Sequence, residues 1–141
     1  MPMAELTCQI VRPDRLLYED IVDHVVLVAY TDEVGVWPDH ASEILALGDG
    51  VMRVTQRGSE GGGVIKIAIS GGYAEIANNK VIVLADNAAR LDEVDVAEVN
   101  AQRKQAVSDR DALSEEDHRR AYYENKIAWC DLLLGQVNKE H

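Results

Sequence analysis

Residues 64–85 read VIKIAISGGYAEIANNKVIVLA, and this stretch decides the fold class. Two short runs rich in β-branched residues, Val64–Ile69 and Val81–Ala85, are typical of strands. Asn78-Asn79 precedes the second run and predicts a tight turn, because Asn tolerates a positive φ better than most residues. Gly71-Gly72 interrupts the strand pattern and predicts a bulge, a bend or close approach by another backbone. The stretch therefore predicts β structure.

The same pattern continues toward the amino terminus. Nine of the ten glycines lie between Gly35 and Gly72, and all three prolines are early, so turn-forming residues are concentrated in this half. The glycine-rich segment 57–63 predicts a flexible hairpin connection. Short strands at close spacing predict an antiparallel β-sandwich or barrel over residues 1–88. The remaining predicted strands are Leu6–Val11, Ile21–Tyr30 and Val51–Gln56.

Residues 89–141 change to a helical pattern. Asp95, followed three residues later by Glu98, predicts a capping box at the start of a helix that runs to about Ser108. Ser114 precedes three acidic residues and predicts a second helix start, because a hydroxyl cap and negative charge both favour a helix N-terminus. These residues predict a two-helix hairpin behind the β domain.

The second helix has an apolar face and a predicted end at Gly135. The predicted fold class is therefore α+β, an N-terminal antiparallel β-sandwich or barrel followed by a C-terminal two-helix antiparallel hairpin. The apolar face follows spacings of four, three, four and three along Tyr123, Ile127, Cys130, Leu134 and Val137.

Length, charge and composition exclude several classes of function. The chain has 141 residues, which suits one compact domain or a small domain with an appendage. Its net charge of −11 repels phosphate backbones and anionic headgroups, so we expect no nucleic-acid binding and no direct lipid insertion. No apolar run approaches the ~20 residues of a membrane span, and we expect a soluble protein that is not exported. Cys8 and Cys130 match no metal-ligand spacing and are expected to be reduced and buried.

Four segments together carry a resemblance: LYED at 17–20, EVGVWPDH at 33–40, SGGYAEI at 70–76 and VIVLADNA at 81–88. In this order, and with a helical tail behind them, the chain resembles the epsilon subunit of the bacterial F-type ATP synthase over essentially its whole length. The resemblance implies a non-catalytic central-stalk, or rotor, subunit that couples proton or sodium-ion flow to rotation. Restraint of ATP hydrolysis by the helical tail is a further implied role. The implied location is the cytoplasmic side of the bacterial plasma membrane.

The chain departs from the family pattern in one loop. Family members commonly place a Pro-Leu pair after the His of the Gly-x-x-Pro-x-His segment, whereas Ala41-Ser42-Glu43 follows His40 here. Trp37 also stands where a smaller apolar residue is frequent.

The resemblance also implies partner contacts. Glu33 is assigned to the polar loops of the membrane rotor ring (the c-ring), and Trp37 and His40 to the gamma subunit. If the tail restrains hydrolysis, charge complementarity predicts that basic residues of the second helix meet acidic surface of the catalytic alpha and beta subunits; these are Arg119, Arg120 and Lys126. The alternative is that the acids Glu115, Glu116 and Asp117 pair with these cations and leave only a solvated surface.

A nucleotide site in the tail is not expected. Family members that bind ATP carry an Arg and an Ala after the Asp that begins the first helix, and further arginines on the second helix. Asp95 is present here, but Glu98 and Val99 occupy the Arg and Ala positions, and Ile127 and Asp131 occupy the second-helix positions. Since a carboxylate repels phosphate, we expect poor ATP binding or none.

A second class of function stays open at this point. Imidazole and carboxylate are ordinary zinc ligands, so a metal-binding or small-molecule β-domain enzyme with a helical dimerisation tail is the alternative. The spacing of the candidate ligands matches no known metal motif, no Ser or Cys nucleophile pairs with a His, and no pattern indicates a cofactor. The candidate ligands are His24, Asp39, His40 and Glu43.

Overall fold

The structure is a computed structural model that describes residues 4–58 and 63–140. The chain divides into two compact units, residues 1–90 and residues 91–141. Most of the predicted hairpin connection at 57–63 lies outside the described residues. Seven strands make up the first unit: β1 (Leu6–Arg12), β2 (Arg15–Val28), β3 (Glu33–Val36), β4 (Glu43–Ala46), β5 (Asp49–Gln56), β6 (Val64–Ala77) and β7 (Lys80–Arg90).

Five of these seven strands form a closed ring, and the other two extend the sheet beside it. Strands β1, β2, β5, β6 and β7 pair in turn, and β7 returns to pair with β1. Alternating directions cannot be kept around a ring of five strands, so one pair must be parallel, and that pair is β1 with β7. This is the exception to the predicted antiparallel arrangement. Strand β3 extends the sheet beside β2, and β4 extends it beside β6.

Long strands pass from one layer of the sandwich to the other. In β6, residues 64–70 pair with β5 and residues 73–76 pair with β4. Between these stretches, Gly72 has a φ of +111°, and a Cβ there would overlap the carbonyl oxygen of Leu84 and lie 2.9 Å from the Cα of Ala85. The predicted close approach by another backbone is therefore confirmed.

The turn between β6 and β7 is also confirmed. Asn78 and Asn79 have φ values of 52° and 60°. Two successive left-handed residues fit a two-residue hairpin, because that backbone twist matches the twist of the flanking strands.

Aliphatic side chains from both layers fill the core, as expected for a chain without Phe. Cys8 lies in this core and is a free thiol, as is the buried Cys130. Burial raises the pKa of Cys8 to about 12, so this thiol is not ionised at neutral pH. The largest fully buried side chains are Leu6, Ile10, Leu27, Leu47, Met52, Ile67, Ile69 and Ile76.

All five predicted strands are present, and each of them is longer than predicted. β2 begins at Arg15 rather than Ile21, and β7 continues past Ala85 to Arg90. Polar residues interrupt the apolar pattern there, and Glu19, Asp20, Asp86 and Asn87 are exposed. The two four-residue strands β3 and β4 were not predicted, because such short segments have too few residues to show a period.

The second unit contains a short 3-10 turn (Leu91–Glu93), helix α1 (Val96–Asp111) and helix α2 (Arg120–Glu140). The side chain of Asp95 accepts a hydrogen bond from the backbone N–H of Glu98, so the predicted N-cap is confirmed. The capping box is wrong in its second half: the carboxylate of Glu98 accepts from Gln102 instead. In the described part of the chain, neither helix is long and apolar enough to cross a membrane.

The predicted start and end of the second helix are wrong. Helix α2 begins at Arg120, not Ser114, because Asp117 is the stronger local acceptor and takes the backbone N–H of Arg119 at 2.9 Å. The carbonyl of Ser114 accepts from Asp117 N–H and closes a turn instead. Gly135 lies inside α2, where ordinary helical bonding continues past it.

The predicted apolar face of α2 is largely buried. Leu134 was predicted to be buried, but it is half-buried and its neighbour Leu133 is buried instead. The two residues lie on either side of the centre of the buried face of α2. Helix α1 contributes the small buried surface of Val99 and Ala106. The buried residues of α2 are Ile127, Cys130, Leu133 and Val137.

Candidate functional site

The predicted contact loop around Trp37 is a tight turn tied to a second turn. His40 N–H donates to the Trp37 carbonyl at 3.2 Å, and Asp39 between them has a φ of 68°. Pro38 before a left-handed residue gives a type II turn. Asp39 N–H donates to Asn79 Oδ1 at 2.5 Å, and Asn79 Nδ2 donates back to Asp39 Oδ1 at 3.2 Å. The β6–β7 turn thus fixes the shape of the loop.

Trp37 lies on the outer face of the layer that contains β2, β3 and β5. Its indole stacks on the His24 ring with centroids 4.6 Å apart and planes 11° apart, and half of the side chain stays exposed. Gly35 makes room for the indole, because a Cβ at Gly35 would overlap Trp37 Cζ3. His24 Nε2 in turn lies 3.2 Å from Thr55 Oγ1. Trp37 is therefore a fixed, half-exposed aromatic surface.

Glu33 is the first residue of β3 and is paired within the protein. Arg53 of β5 places Nη1 3.0 Å from Glu33 Oε2, and both side chains are half exposed. This arrangement leaves Glu33 accessible but partly neutralised. His40 is half-buried, with Nδ1 2.7 Å from the Ala41 carbonyl oxygen.

The four side chains weighed as metal ligands have separate surroundings. His24 contacts Trp37 and Thr55, Asp39 contacts Asn79, and His40 contacts Ala41. Glu43 is the first residue of β4 and lies opposite Ile76. Within residues 4–58 and 63–140, no three His, Cys, Asp or Glu side chains are grouped so that they could hold a metal ion. The metal alternative has no geometric support in this part of the chain.

The basic residues predicted for the second helix differ in their contacts. Arg119 precedes α2 and places Nη2 2.7 Å from Asp117 Oδ2. Arg120 donates from Nη1 to the carbonyl oxygens of Arg110 and Leu113. Lys126 is exposed and makes no ion pair with the side chains that the structure describes. Of the three cations, only Lys126 is fully available on the surface.

Hydrogen bonds from Arg119 lower the pKa of Asp117 to about 2. The pairing therefore favours the folded turn at every pH above the usual carboxyl pKa of 3.8, and this contribution is lost as the pH falls through about 2. The predicted alternative of acid–base pairing is borne out for Arg119, although the pair spans two residues in a turn and not three or four within a helix.

A second surface was not predicted. Directly paired residues share a face of a sheet, so the pairing register defines one row across five strands. The row is apolar throughout, and Ile82 and Ile44 lie beside it. Tyr73 is 62% exposed, Leu84 52% and Ile44 74%. We call this row the apolar face: Leu16, Val11, Leu84, Tyr73 and Ala46.

A sequence signal for the apolar face does exist. In the run Val81–Ala85, inward residues such as Val83 and outward residues such as Leu84 are both apolar. A strand that is apolar on both sides is expected to be covered on both sides. Exposed apolar rows of this kind mark protein-interaction sites.

Comparison with known proteins decides the family. A family model described as "ATP synthase, Delta/Epsilon chain, beta-sandwich domain" matches residues 5–91. The chain belongs to this ATP synthase family. Over 97 residues it is 38% identical to the ATP synthase epsilon chain of Desulforamulus reducens, covering 69% of this chain and 70% of the relative. With the Synechococcus elongatus epsilon chain it shares 35% identity over 114 residues, or 81% of this chain and 80% of the relative.

Solved structures show the same fold as this epsilon-family chain. A chain of the Euglena gracilis mitochondrial ATP synthase OSCP/F1/c-ring structure has a TM-score of 0.68 at 19% identity, covering 97% of this chain and 84% of that chain. A chain of the Tetrahymena thermophila mitochondrial ATP synthase central stalk/c-ring structure has a TM-score of 0.56 at 10% identity, covering 97% and 99%.

Family membership confirms the predicted resemblance, the α+β fold class and the assignment as a non-catalytic subunit of the ATP synthase. The epsilon chain is a non-catalytic subunit of the ATP synthase, so its functional sites are surfaces for other subunits and not catalytic groups. The Trp37 loop and the apolar face are the candidate surfaces of the β unit, and the exposed Lys126 is a candidate of the helical unit.

Proposed function

We propose that this chain is the epsilon subunit in the central stalk of a bacterial F-type ATP synthase. In this proposal the β unit binds the gamma subunit and the c-ring, and coupling of proton or sodium-ion flow to rotation depends on that attachment. The helical unit restrains ATP hydrolysis through the alpha and beta subunits. The location is the cytoplasmic side of the plasma membrane, peripheral within the complex. The observation that carries the proposal is the apolar face on a sandwich of this family.

The apolar face is the proposed site for gamma. Its centre is the pair Leu84 and Tyr73, on neighbouring strands of one rigid sheet, and rigid apolar centres supply most of the binding energy at protein interfaces. Glu19 and Glu75 lie in the next row of the same face. A gamma surface with an apolar centre and a basic border is complementary to this arrangement.

The Trp37 loop is the proposed second contact of the β unit. Trp37 supplies a half-exposed aromatic surface, and aromatic side chains are enriched in interfaces. His40 lies in the same turn and is proposed to meet gamma with it. Glu33 is proposed to meet the polar loops of the c-ring, where a partner cation would compete with Arg53 for its carboxylate.

The helical unit is proposed to contact the alpha and beta subunits through those basic residues that are not already paired within the chain. Lys126 is exposed, whereas Arg119 is paired with Asp117 and Arg120 with backbone carbonyls. In the closed hairpin, contact with acidic subunits therefore rests mainly on Lys126.

Reconstitution tests the proposed function. ATP-driven ion pumping is measured with the complete set of synthase subunits, with and without this chain, and with residues 1–90 alone. We expect pumping to require the chain, because coupling needs gamma attached to the ring. We expect residues 1–90 to restore pumping but not the restraint of hydrolysis. Equal pumping without the chain would contradict the proposal.

The chain is further expected to bind ATP poorly or not at all. Arg103 of α1 places Nε 2.6 Å from Asp131 Oδ1 of α2, so this cation is already neutralised by a carboxylate. Glu98 adds another negative charge on α1. Calorimetric titration with Mg-ATP is expected to show no binding in the micromolar range, with a nucleotide-binding catalytic beta subunit as the positive control. A micromolar dissociation constant would refute this expectation.

A further inference from the structure

Glu75 lies on the same face of the sheet as Leu84 and Tyr73, among apolar neighbours. It belongs to β6, and the pairing register puts Ile44 of β4 on one side of it and Ile82 of β7 on the other. Directly paired residues share a face, so these three side chains form one row. Ile44 is 74% exposed and Ile82 is half-buried. An exposed carboxylate therefore lies between two isoleucines.

A small cleft opens beside this carboxylate. Its volume is about 240 Å³, which is less than the 300–1,000 Å³ or so of pockets for drug-sized ligands, so it suits a single side chain. The lining combines apolar surface with charged and polar groups, which favours an occupant that has an apolar stem and a polar end. The lining residues are Glu75 and Ala77 of β6, Asn78 of the turn, and Lys80 and Ile82 of β7.

The Glu75 carboxylate has no ion pair and no side-chain hydrogen bond among the residues that the structure describes. Lys80 lines the same cleft, but it is opposite Ala77 and makes no ion pair with Glu75. The other acid of the row differs, because the carboxylate of Glu19 accepts a hydrogen bond from the side chain of Gln9. Glu75 therefore depends on solvent, and it keeps that solvent only while the face is uncovered.

Covering this face changes the free energy of the carboxylate. A partner that buries Ile44 and Ile82 also buries Glu75 between them. A charge that is removed from water without a counter-charge is strongly unfavourable, so the partner must supply a cation. Arginine fits best, because its guanidinium is more weakly hydrated than an ammonium group and can donate two N–H groups to one carboxylate.

We propose that Glu75 determines which partner the apolar face accepts, by binding one arginine side chain of that partner in the cleft. The stem of the arginine packs on Ala77 and Ile82, and its guanidinium donates to the Glu75 carboxylate. A surface without this cation is rejected, because it would leave the carboxylate buried and unpaired. The inference rests on the proposed function, in which gamma occupies the apolar face, and it assigns to gamma one arginine at the edge of its apolar contact.

Binding kinetics of the full chain on immobilised gamma test the role of Glu75. Surface plasmon resonance compares wild type with Glu75→Gln, which removes the charge and keeps the shape. The dissociation rate is expected to rise at least about tenfold with little change in the association rate, because loss of one partner of a buried charge pair acts mainly on dissociation. Asp49→Asn is the matched control: it removes an exposed strand carboxylate whose neighbour is Ser70, away from this row, and is expected to keep wild-type rates.

The sign of the Glu75→Gln effect is decisive. If gamma brings no cation, the neutral variant binds as tightly as wild type or more tightly, because an unpaired buried charge has been removed, and either result overturns the proposal. Equal losses in Glu75→Gln and Asp49→Asn would indicate general attraction and overturn it as well. Thermal unfolding of Glu75→Gln is expected to match wild type, since Glu75 is exposed.

Failure of the proposed function gives a different result. In that case wild type does not bind gamma, or Leu84→Asp binds gamma as wild type does, and the inference falls with it. Single Arg→Ala variants of gamma identify the arginine. One of them is expected to weaken binding to wild type but not to Glu75→Gln, as a double-mutant cycle requires of a direct pair. If every such variant weakens binding to both forms equally, the proposed pair does not exist.

Discussion

Gly72→Ala is expected to destabilise the β-sandwich by about 3 to 5 kcal/mol. The backbone at this position has a φ of +111°, which is unfavourable for any residue with a Cβ, and the added methyl group would overlap the Leu84 carbonyl oxygen. Neither strain is easily relieved, because β6 and β7 are paired on both sides of the contact. Loss of this magnitude approaches the whole stability of a small domain.

Gly58→Ala is the matched control, since Gly58 also has a positive φ, +70°, but none of the residues that the structure describes has an atom within 4 Å of its position for a Cβ. It is expected to cost only about 1 kcal/mol, the price of the left-handed backbone alone. Urea unfolding is followed by fluorescence in a Trp129→Phe background, where Trp37 is the single tryptophan and reports on the β unit. Similar losses in the two variants would mean that the close approach at Gly72 is unimportant.

Leu84→Asp and Leu84→Lys are each expected to weaken binding of this chain to gamma by at least about 100-fold. The prediction rests on the proposed use of the apolar face, in which Leu84 is paired with Val11 on one side and Tyr73 on the other. A charge buried there without a partner is unfavourable whatever its sign. Testing both signs therefore distinguishes desolvation from a simple change in attraction, because attraction alone would make one variant bind better.

Val64→Asp provides the control for the apolar face. Val64 is also an exposed apolar strand residue, but it pairs with Thr55 in the other layer. Surface plasmon resonance with immobilised gamma is expected to give wild-type affinity for Val64→Asp, with unchanged thermal unfolding for all three variants. Wild-type affinity for either Leu84 variant would remove the apolar face as the gamma site.

The backbone preferences of single residue types made part of the fold predictable. The Asn78-Asn79 turn and the Gly71-Gly72 bend follow from backbone preferences that belong to those residue types. The pairing of β1 with β7 did not follow, because its partners are about 70 residues apart and nothing local marks a parallel neighbour. The prediction of a helix start at Ser114 was wrong because several polar residues in this segment can cap a helix. Asp117 accepts the backbone N–H of Arg119, and the helix begins after it.

The candidate surfaces were predictable to different degrees. The Trp37 loop was found through its Gly, Pro and aromatic residues, but its stacking on His24 depends on β2 and β3 being neighbours. The run Val81–Ala85 indicates that β7 is covered on both sides, but the row that makes up the apolar face becomes visible only when five strands are placed side by side. The contacts of Arg120 were out of reach because its acceptors are backbone carbonyls, which every residue carries.

The parallel pair of β1 and β7 also sets an order of events during biosynthesis. The earlier strand of this pair, β1, must keep one edge open until β7 has been made. Until then the nascent chain carries an unpaired edge of the kind that promotes association with other chains. Closure of the ring removes that edge once β7 is free of the ribosome and can pair with β1.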